Sequence, residues 1–532
     1  MAISEYGIKL ALNIISAHFG NLVTKICECL LHKGTLTLSD IIRFTNLPSQ
    51  QANNCLLVLI QHNCVQPSSQ SSNQDGEGEM AKGVSYDVVF DNILHRMRFP
   101  KFLSVVLDEF DEECVEIVEE LLQHGRLSFE QIVSRGMAKR NEGDRDIQEA
   151  IRENFEKLVN AHYVERCPDS DTVPMSQDDD NRSLTRTRGP KSTKIVDTEI
   201  VEQQIITDGI SSERFVVERN TNTDTDISEA TTSGKHTNVT VGEKRKIEAL
   251  KSDDGTKVVL SEKEVLWRAN FEEFVSHLRR KACVASVRSR YDAGAGIVLN
   301  AMLQATRKAE RKMKTERSVP LSKDDILNMV MEIEECCSMT LEDIVAVLSQ
   351  LHCPCVTVEG KESYSIDLKD IIETAQNDEV ESLVLKRFGK DAYKMFRLLS
   401  LSARAMETNK ISDDAFVEKK EALKLLYHLW KDNYLHMEKV TAHGSAQRQF
   451  LLWKINNCSV RERAFDEMCH AALNLRLRLA YEVEQEREIL QLPQDEVGGA
   501  QEKKFKRIEK VKEVLEASLM KLDDDIMLFH DL

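Results

Sequence analysis

A short pattern of apolar and hydroxyl residues recurs four times along the chain and limits its fold more than any other feature. Each copy contains an apolar residue, Ser or Thr, three variable residues, and two further apolar residues. The hydroxyl stands where a helix N-cap belongs, and its oxygen can accept a hydrogen bond from a free N–H of the first turn. The copies are Leu36-Thr37 with Ile41-Ile42, Leu127-Ser128 with Ile132-Val133, Leu321-Ser322 with Ile326-Leu327, and Ile411-Ser412 with Phe416-Val417. Met339-Thr340 with Ile344-Val345 also fits, so the pattern by itself predicts capped helices and nothing more specific.

A second pattern ends an apolar helix in each repeat. Residues 59–65, 158–164 and 429–435 show it at identical spacing, and residues 348–358 give a looser version. His or Asn stands at each of these helix ends, where a left-handed residue commonly terminates a helix. Each repeat is therefore predicted to contain a helix, a short capped helix, a longer apolar helix and a strand.

The strands that follow these helices are predicted to form hairpins. Val356–Val358 and Tyr364–Ile366 alternate around a turn, Tyr434–Val440 and Phe450–Ile455 form a second candidate pair, and Tyr86–Phe90 closes the first repeat. Three helices followed by a hairpin form the winged-helix variant of the helix-turn-helix. We therefore predict a mainly α fold of four tandem winged-helix modules with small β-wings.

A polar insert explains the long distance between the second and third repeats. Residues from about 168 to 246 are rich in Asp, Ser, Thr and Asn and lack periodicity, so they cannot bury enough apolar surface to offset chain entropy. We predict a disordered acidic and polar insert in the second wing, and a smaller polar insert at 68–83 in the first. The predicted modules are residues 1–90, 91–262, 263–372 and 373–457.

Residues 458–532 follow a different pattern. Apolar residues recur three and four positions apart on both sides of a Pro- and Gly-containing turn at 492–499. Two such helices joined by a turn form an antiparallel hairpin or coiled coil. The predicted seam contains Phe465, Met468, Leu475, Leu479, Leu515 and Leu519.

Composition restricts the class of protein. A chain of 532 residues is expected to form several domains of roughly 100–150 residues. Residues 1–6 lack the basic start and apolar stretch of a signal peptide, and no apolar run is long enough to span a bilayer. The 13 cysteines are scattered over helix positions, as reduced thiols would be. We expect a soluble intracellular protein without a membrane role.

The sequence offers no convincing motif for catalysis, cofactor binding or metal binding. Asp292-Ala293-Gly294-Ala295-Gly296 imitates part of a dinucleotide-binding loop, but it lacks the third glycine and a preceding apolar strand, which favours a break between two helices. Cys336-Cys337 with Cys353 and Cys355 lacks the spacing of a zinc knuckle. Phosphate-binding loops, nucleophile elbows and HExxH motifs do not occur. We expect no catalytic residue, cofactor or metal.

One segment is strongly basic, although the net charge of the chain is −18. Between Arg279 and Arg317, eleven Lys and Arg residues stand against three acidic ones. Arg307, Arg311 and Lys314 are spaced to share one helix face, which could follow a phosphate backbone. A solvated face and a docking surface for an acidic protein are the alternatives, because nothing here specifies base readout. The candidate DNA contacts are Arg279, Arg280, Lys281, Arg288, Arg290, Arg307, Lys308, Arg311, Lys312 and Lys314.

The start of the chain and the order of its segments resemble a known family. Tyr6–Ala11, Asn21–Gly34 with Thr35–Leu38, and the four helix-to-wing repeats resemble the winged-helix C-type subunit of DNA-directed RNA polymerase III, the largest member of that enzyme's three-subunit initiation subcomplex. The resemblance covers nearly the whole chain, as two modules, an acidic insert, two more modules and a helical hairpin. The insert is longer and richer in Thr and Asn than the family pattern, so nothing is carried over onto it.

The resemblance implies a nuclear protein that holds no catalytic residue. It would dock on the clamp of the polymerase's largest subunit and bind two heterotrimer partners. It would also contact promoter DNA without reading its sequence, and act with initiation factors in recruitment and DNA opening at genes for small untranslated RNAs. The residues alone also allow a winged-helix scaffold of a cullin-like or proteasome-lid-like complex without a DNA role. Co-purification with very large catalytic subunits, or with ubiquitin machinery, separates the two hypotheses.

Overall fold

The computed structural model describes residues 4–69, 84–140, 145–168, 214–215, 265–309, 317–332, 339–358, 361–402, 404–442, 448–490 and 499–532. These residues are mainly helical and include four three-stranded sheets. They divide into a larger unit, residues 1–125 and 270–532, and a smaller unit, residues 126–269. No helix in the described ranges has both the length and the apolar character needed to cross a membrane.

The first repeat lies at the start of the larger unit. Thr37 caps the short helix that begins at Leu38 by accepting a hydrogen bond from the Asp40 N–H at 3.3 Å, as the hydroxyl pattern predicts. The third strand is central in an antiparallel sheet and pairs with the other two. The elements are α1 (Glu5–Phe19), α2 (Asn21–Lys33), β1 (Leu36–Thr37), α3 (Leu38–Thr45), α4 (Ser49–Gln61), β2 (Val65–Ser69) and β3 (Val84–Val88).

A run of helices continues the larger unit up to residue 125. It contains α5 (Phe90–His95), a 3₁₀ turn (Arg96–Arg98), α6 (Phe99–Glu109) and α7 (Glu112–His124). Pro100 stands in the first turn of α6, where its missing N–H removes no helical hydrogen bond.

The smaller unit contains the sheet of the second repeat. Its elements are β4 (Leu127–Ser128), α8 (Phe129–Arg140), α9 (Arg145–Asn160), β5 (Val164–Arg166) and β6 (Leu266–Ala269). The central strand β6 pairs with both β4 and β5, so residues 167–265 are inserted between two paired strands. The predicted module boundary at residues 262 and 263 falls before β6. Nearly all of the predicted disordered insert, about 168–246, lies outside the described residues.

Two residues of that insert are described, and they contact strand β5. The Arg166 N–H donates to the Arg214 carbonyl at 2.9 Å, and the Arg214 guanidinium pairs with the Glu165 carboxylate. The ring centroids of Phe215 and His162 lie 4.0 Å apart. Arg214 and Phe215 thus lie within the predicted insert and both contact residues of the smaller unit.

We expect deletion of residues 168–246 to leave the thermal unfolding of the chain nearly unchanged, because long surface insertions add little to the entropy of loop closure. Glu165 then loses Arg214 but keeps Arg268, whose Nε lies 2.7 Å from its carboxylate. Differential scanning calorimetry measures the effect. A matched deletion that keeps residues 210–218 isolates the contribution of Arg214 and Phe215. A large loss of stability or of soluble expression in both deletions would contradict the prediction.

The third repeat returns to the larger unit. Ser322 and Thr340 each form a capping box, with Asp325 and Asp343 as the reciprocal partners. The predicted hairpin is present, but its second strand begins at Lys361 and ends at Tyr364. The elements are α10 (Phe271–Arg290), α11 (Ala293–Ala309), β7 (Leu321–Ser322), α12 (Lys323–Met331), α13 (Leu341–Gln350), β8 (Cys355–Val358) and β9 (Lys361–Tyr364).

The fourth repeat has the same strand order, but its predicted helix cap is wrong. The short strand is Met406–Glu407, and Glu407 is the N-cap of the helix that follows. Ser412 lies inside that helix, where its hydroxyl donates to the Val417 carbonyl at 2.6 Å. The elements are α14 (Leu368–Phe388), α15 (Lys390–Ser402), β10 (Met406–Glu407), α16 (Thr408–Ala415), α17 (Lys419–Lys431), β11 (His436–Ala442) and β12 (Arg448–Lys454).

In every repeat, the helix that precedes the second strand of the sheet ends in the same turn. Asn63, His162, His352 and Asn433 follow α4, α9, α13 and α17 with φ values between 52° and 66°. In each turn the next N–H donates back to a carbonyl of the helix at 2.8–3.1 Å, which satisfies an otherwise free acceptor. The prediction that His or Asn ends these helices in a left-handed conformation is confirmed.

Two long helices, α18 (Asn457–Leu490) and α19 (Gly499–His530), complete the larger unit. The Phe465 and His530 rings stack with centroids 5.2 Å apart, and Lys512 Nζ lies 2.6 Å from the Glu486 carboxylate. The base of α18 also packs on α1, where the Tyr6 N–H donates to Asp466 at 2.9 Å. One hydrophobic core therefore joins the first repeat, the fourth repeat and these two helices.

Candidate functional site

The predicted basic surface is divided between two helices of the larger unit. Arg279, Arg280, Lys281, Arg288 and Arg290 lie on α10. Arg307 and Lys308 lie in the last turn of α11. Arg311, Lys312 and Lys314 lie outside the described residues. The helix face predicted for Arg307, Arg311 and Lys314 is therefore described only at Arg307.

Four of these cations face carboxylates of neighbouring elements. Their side chains are nevertheless at least 36% exposed. Exposed ion pairs contribute only about 0–1 kcal/mol, so a phosphate could take the place of a carboxylate. The pairs are Lys281 with Asp108 at 3.5 Å, Arg290 with Asp378 at 2.9 Å, Arg307 with Glu109 at 2.7 Å, and Lys308 with Glu332 at 3.5 Å.

The side chains of Arg279 and Arg280 are partly buried. Arg280 Nη1 donates to the Ser276 hydroxyl at 3.0 Å, and its Nη2 lies 3.5 Å from Glu273. Both of these partners of Arg280 lie on α10 itself. The sequence did not distinguish these two arginines from their exposed neighbours. The burial of adjacent residues on a helix depends on which face packs against the rest of the protein, and the sequence pattern did not show that face here.

The glycine-containing segment between α10 and α11 has a structural explanation. Asp292 Oδ1 accepts a hydrogen bond from the Ala295 N–H at 2.6 Å at the start of α11. A Cβ on Gly296 would lie 2.1 Å from Cγ of Arg288, so glycine makes room for the arginine stem. The prediction of a break between two helices is confirmed.

The cysteines considered for zinc do not assemble into a site in the described part of the chain. Cys336 and Cys337 lie outside the described residues. Burial raises the pKa of Cys353 to about 12. Among the described residues, no three His, Cys, Asp or Glu side chains are grouped as a metal site would require.

The predicted seam of the C-terminal helices changes in burial along its length. Phe465 and Met468 are buried, whereas Leu475, Leu479, Leu515 and Leu519 are partly exposed. The buried end lies where α18 and α19 pack on the rest of the larger unit, and Leu519 still contacts that core. Two helices alone cannot enclose their contact side chains, so the other end keeps apolar surface in contact with solvent.

Sequence reasoning missed an ionic cluster that ties the 3₁₀ turn to the end of α19. Arg98, whose side chain is 0% exposed, donates from Nε to Asp523 at 3.0 Å and also pairs with Asp531. Lys101 Nζ lies 2.7 Å from Asp523, and His95 Nε2 lies 3.2 Å from Asp531. We call these five residues the Arg98 cluster. No signal in the sequence joins residues more than 420 positions apart.

The electrostatics of the Arg98 cluster favour the ionised form of Asp531. Burial alone would raise the pKa of Asp531, but the Arg98 guanidinium and hydrogen bonds from His530 and His95 hold it well below its usual value. Burial opposes the charge on Arg98 as well, yet Asp531 and Asp523 raise its pKa. The cluster is therefore a charged, mutually compensated contact that holds the end of α19 in place.

Comparisons with known proteins agree along the length of the chain. Residues 9–69 match the RNA polymerase III subunit RPC82 helix-turn-helix domain, residues 153–375 match RNA polymerase III subunit RPC82, and residues 380–455 match the POLR3C C-terminal winged-helix domain. DNA-directed RNA polymerase III subunit RPC3 of Bos taurus and of Homo sapiens are each 24% identical to the chain, over 95% of it and 91% of the relative. The Dictyostelium discoideum protein of the same name is 22% identical over 98% of the chain and 99% of its own length.

Proposed function

We infer that this chain, which belongs to the RPC82 family of RNA polymerase III subunits, acts as a non-catalytic subunit of that enzyme. The inference rests on three consecutive segments between residues 9 and 455, each of which matches a domain or subunit of this RNA polymerase III family. Relatives that bear the subunit name align over nearly their full length, so the inference concerns the whole protein.

We propose that the four repeats are four tandem winged-helix modules. In each repeat a two-residue strand is followed directly by a helix. The last of the three strands lies in the centre of each sheet. With β6 assigned to the second module, and with α5 and α14 each kept within one module, the proposed modules are residues 1–89, 90–269, 270–367 and 368–457. Residues 458–532 would form an antiparallel coiled-coil hairpin, which the contacts of Phe465 with His530 and of Lys512 with Glu486 support.

We further propose that the protein works in the nucleus on promoter DNA together with other polymerase III subunits. Its partners would be two further subunits of an initiation subcomplex, the clamp of the largest subunit, and initiation factors. The partly exposed apolar seam at Leu475, Leu479 and Leu515 supports docking through the hairpin, because such surface is normally covered in an assembly.

Purification of the tagged chain from its own cells tests the assignment. Mass spectrometry should find the large catalytic subunits of RNA polymerase III in stoichiometric amounts. A complex with ubiquitin machinery and no polymerase would overturn the assignment and favour the scaffold hypothesis.

We expect charge reversal in the basic segment to weaken DNA binding by the full chain similarly for unrelated sequences. Phosphate contacts carry no sequence information, and they release counterions when they form. Replacement of Arg307, Lys308, Arg311 and Lys312 by Ala should flatten the plot of log affinity against log salt. The slope should change by about 0.9 for each duplex phosphate that the variant no longer neutralises. Fluorescence anisotropy with two unrelated duplexes measures both effects.

The Ala variant is the decisive one, because Glu at positions 307 and 308 would also face Glu109 and Glu332. A variant with Lys25, Lys369, Lys503 and Lys504 changed to Ala removes the same charge from exposed sites elsewhere. If the Ala variant at 307–312 keeps the wild-type salt slope but loses a partner subunit, the basic segment is a protein-docking surface.

A further inference from the structure

Helix α17 of the fourth repeat exposes an unusual amount of apolar surface. Phe416, in the turn before α17, is 93% exposed, and Leu401 at the end of α15 is 77% exposed. Leu423, Tyr427 and Trp430 on α17 itself are between 36% and 41% exposed. Solvated aromatic and aliphatic side chains grouped in this way are typical of a binding surface.

The backbone at Phe416 adds a second anomaly. Its φ is 54°, a left-handed conformation that is a clear outlier for a bulky residue. The corresponding turn of the first repeat has Asn46 at φ 53°, and Asn tolerates this conformation. Phe416 therefore combines a left-handed backbone, which is costly for a bulky residue, with a ring that is almost fully exposed.

Lysines line the same face of α17. Lys420, Lys424, Tyr427 and Lys431 follow the spacing i, i+4, i+7 and i+11, which places them along one side of the helix. Lys424 has Glu421 at 3.5 Å, whereas Lys420 and Lys431 have no ion-pair partner among the described residues. We call Phe416, Lys420, Leu423, Lys424, Trp430 and Lys431 the α17 face.

The equivalent helices of the other repeats show that the fold does not require this surface. Helix α4 carries no charged residue, and helix α13 carries only acidic ones. Helix α9 mixes Arg and Lys with a larger number of Asp and Glu. Of these four equivalent helices, only α17 combines an excess of basic residues with exposed apolar side chains in the described ranges.

We propose that the α17 face binds an acidic amphipathic segment of a partner protein. Carboxylates on the segment would meet Lys420, Lys424 and Lys431, and its apolar side chains would cover Phe416, Leu423 and Trp430. The lysines are available for this charge complementarity, because Lys424 has only an exposed pair on its own helix and the other two have none in the described ranges. The proposal goes beyond the family assignment, which names no surface and no partner chemistry.

Two observations favour a protein over single-stranded nucleic acid. The aliphatic side chains Leu401 and Leu423 offer no ring on which a base could stack. Tyr427 packs edge-on against Trp453 and Trp430, with interplanar angles of 89° and 79°. These rings are engaged with each other and do not form a row of open stacking platforms.

A photo-crosslink in the native complex tests the proposal. The chain is expressed with p-benzoylphenylalanine in place of Phe416, purified in the complex it forms in its own cells, irradiated, and digested for mass spectrometry. We expect a crosslink to a protein segment rich in Asp, Glu and apolar residues. Leu57, which is 62% exposed on α4, receives the same probe as the matched control.

Variants connect the crosslink to the α17 face. Lys420→Glu, Lys424→Glu and Lys431→Glu together should lower the crosslink yield at least tenfold, whereas Lys25→Glu with Lys369→Glu should not change it. A crosslink to DNA, a yield no higher than at Leu57, or a yield that survives the lysine reversals would each overturn the proposal. Because the complex is purified without assuming its identity, absence of the polymerase subunits would count against the assigned function and leave this test in force.

Discussion

We expect Arg98→Met to lower the free energy of unfolding of the larger unit by about 3–5 kcal/mol, the usual cost of removing one partner of a buried ion pair. The substitution keeps the apolar stem but leaves Asp523 and Asp531, which are 1% and 6% exposed, without their shared guanidinium. Both carboxylates lie near the end of α19, so the anchorage of that helix should weaken first. Urea denaturation followed by circular dichroism measures the loss.

Three further variants make the result specific. Lys101→Met should cost clearly less, because Asp523 keeps Arg98 and Asp524 is 63% exposed. Arg43→Met, which breaks an exposed pair with Asp40, should cost about 0–1 kcal/mol. Adding Asp523→Asn and Asp531→Asn to Arg98→Met should recover part of the stability, since no buried charge then remains unpaired. Equal losses for Arg98→Met and Arg43→Met would contradict the role assigned to the Arg98 cluster.

The pH dependence of stability gives an independent check on the same residues. The folded pKa of Asp531 lies below its unfolded value near 3.8, so its contribution is fully present above that value and is lost as the pH falls through the folded pKa. Without Arg98, only His530 and His95 oppose the effect of burial on Asp531, so its folded pKa should rise. Acid unfolding of Arg98→Met should therefore begin at higher pH than acid unfolding of the wild-type chain.

Local patterns predicted much of the fold because they report the physics of single helices and turns. Thr37 and Ser322 cap helices as their positions require, and Asn63 and Asn433 adopt left-handed turns at helix ends. The fourth repeat shows the limit of this reasoning. An apolar residue followed by Ser occurs at Ile411-Ser412 by chance, five residues after the strand that actually precedes the helix.

Features that depend on distant residues could not be predicted in the same way. Asp523 was indistinguishable from a solvated helix residue until Arg98 was placed beside it. In the basic segment, the excess of positive charge was visible in the sequence, but the carboxylates of Asp108 and Glu109 that face it were not. Packing also leaves Trp430 of α17 partly exposed and buries the adjacent Leu429 completely, a difference that the local pattern does not predict.

The second large effect is expected at Phe102, a fully buried residue of α6 whose ring stacks on Phe274 of α10 with centroids 4.7 Å apart. The ring centroids of Phe271 and Phe99 lie 5.9 Å and 6.3 Å from that of Phe102, so four phenylalanine rings pack together. Phe102→Ala removes the central ring and leaves a cavity that rigid neighbours cannot fill. We expect a loss of about 3–5 kcal/mol in the free energy of unfolding, measured in urea.

The loss of packing at Phe102 should also make the basic segment less rigid. Helix α10 carries Lys281 and Arg290 and is held against α6 through these rings. Below the unfolding transition, we expect Phe102→Ala to increase hydrogen exchange in α10 before α13, which has no ring in the cluster. Phe44→Ala is the matched control, since that ring is 41% exposed and should cost about 1 kcal/mol or less. If Phe102→Ala costs no more than Phe44→Ala, or if exchange rises equally in α10 and α13, the aromatic cluster does not position the basic helix.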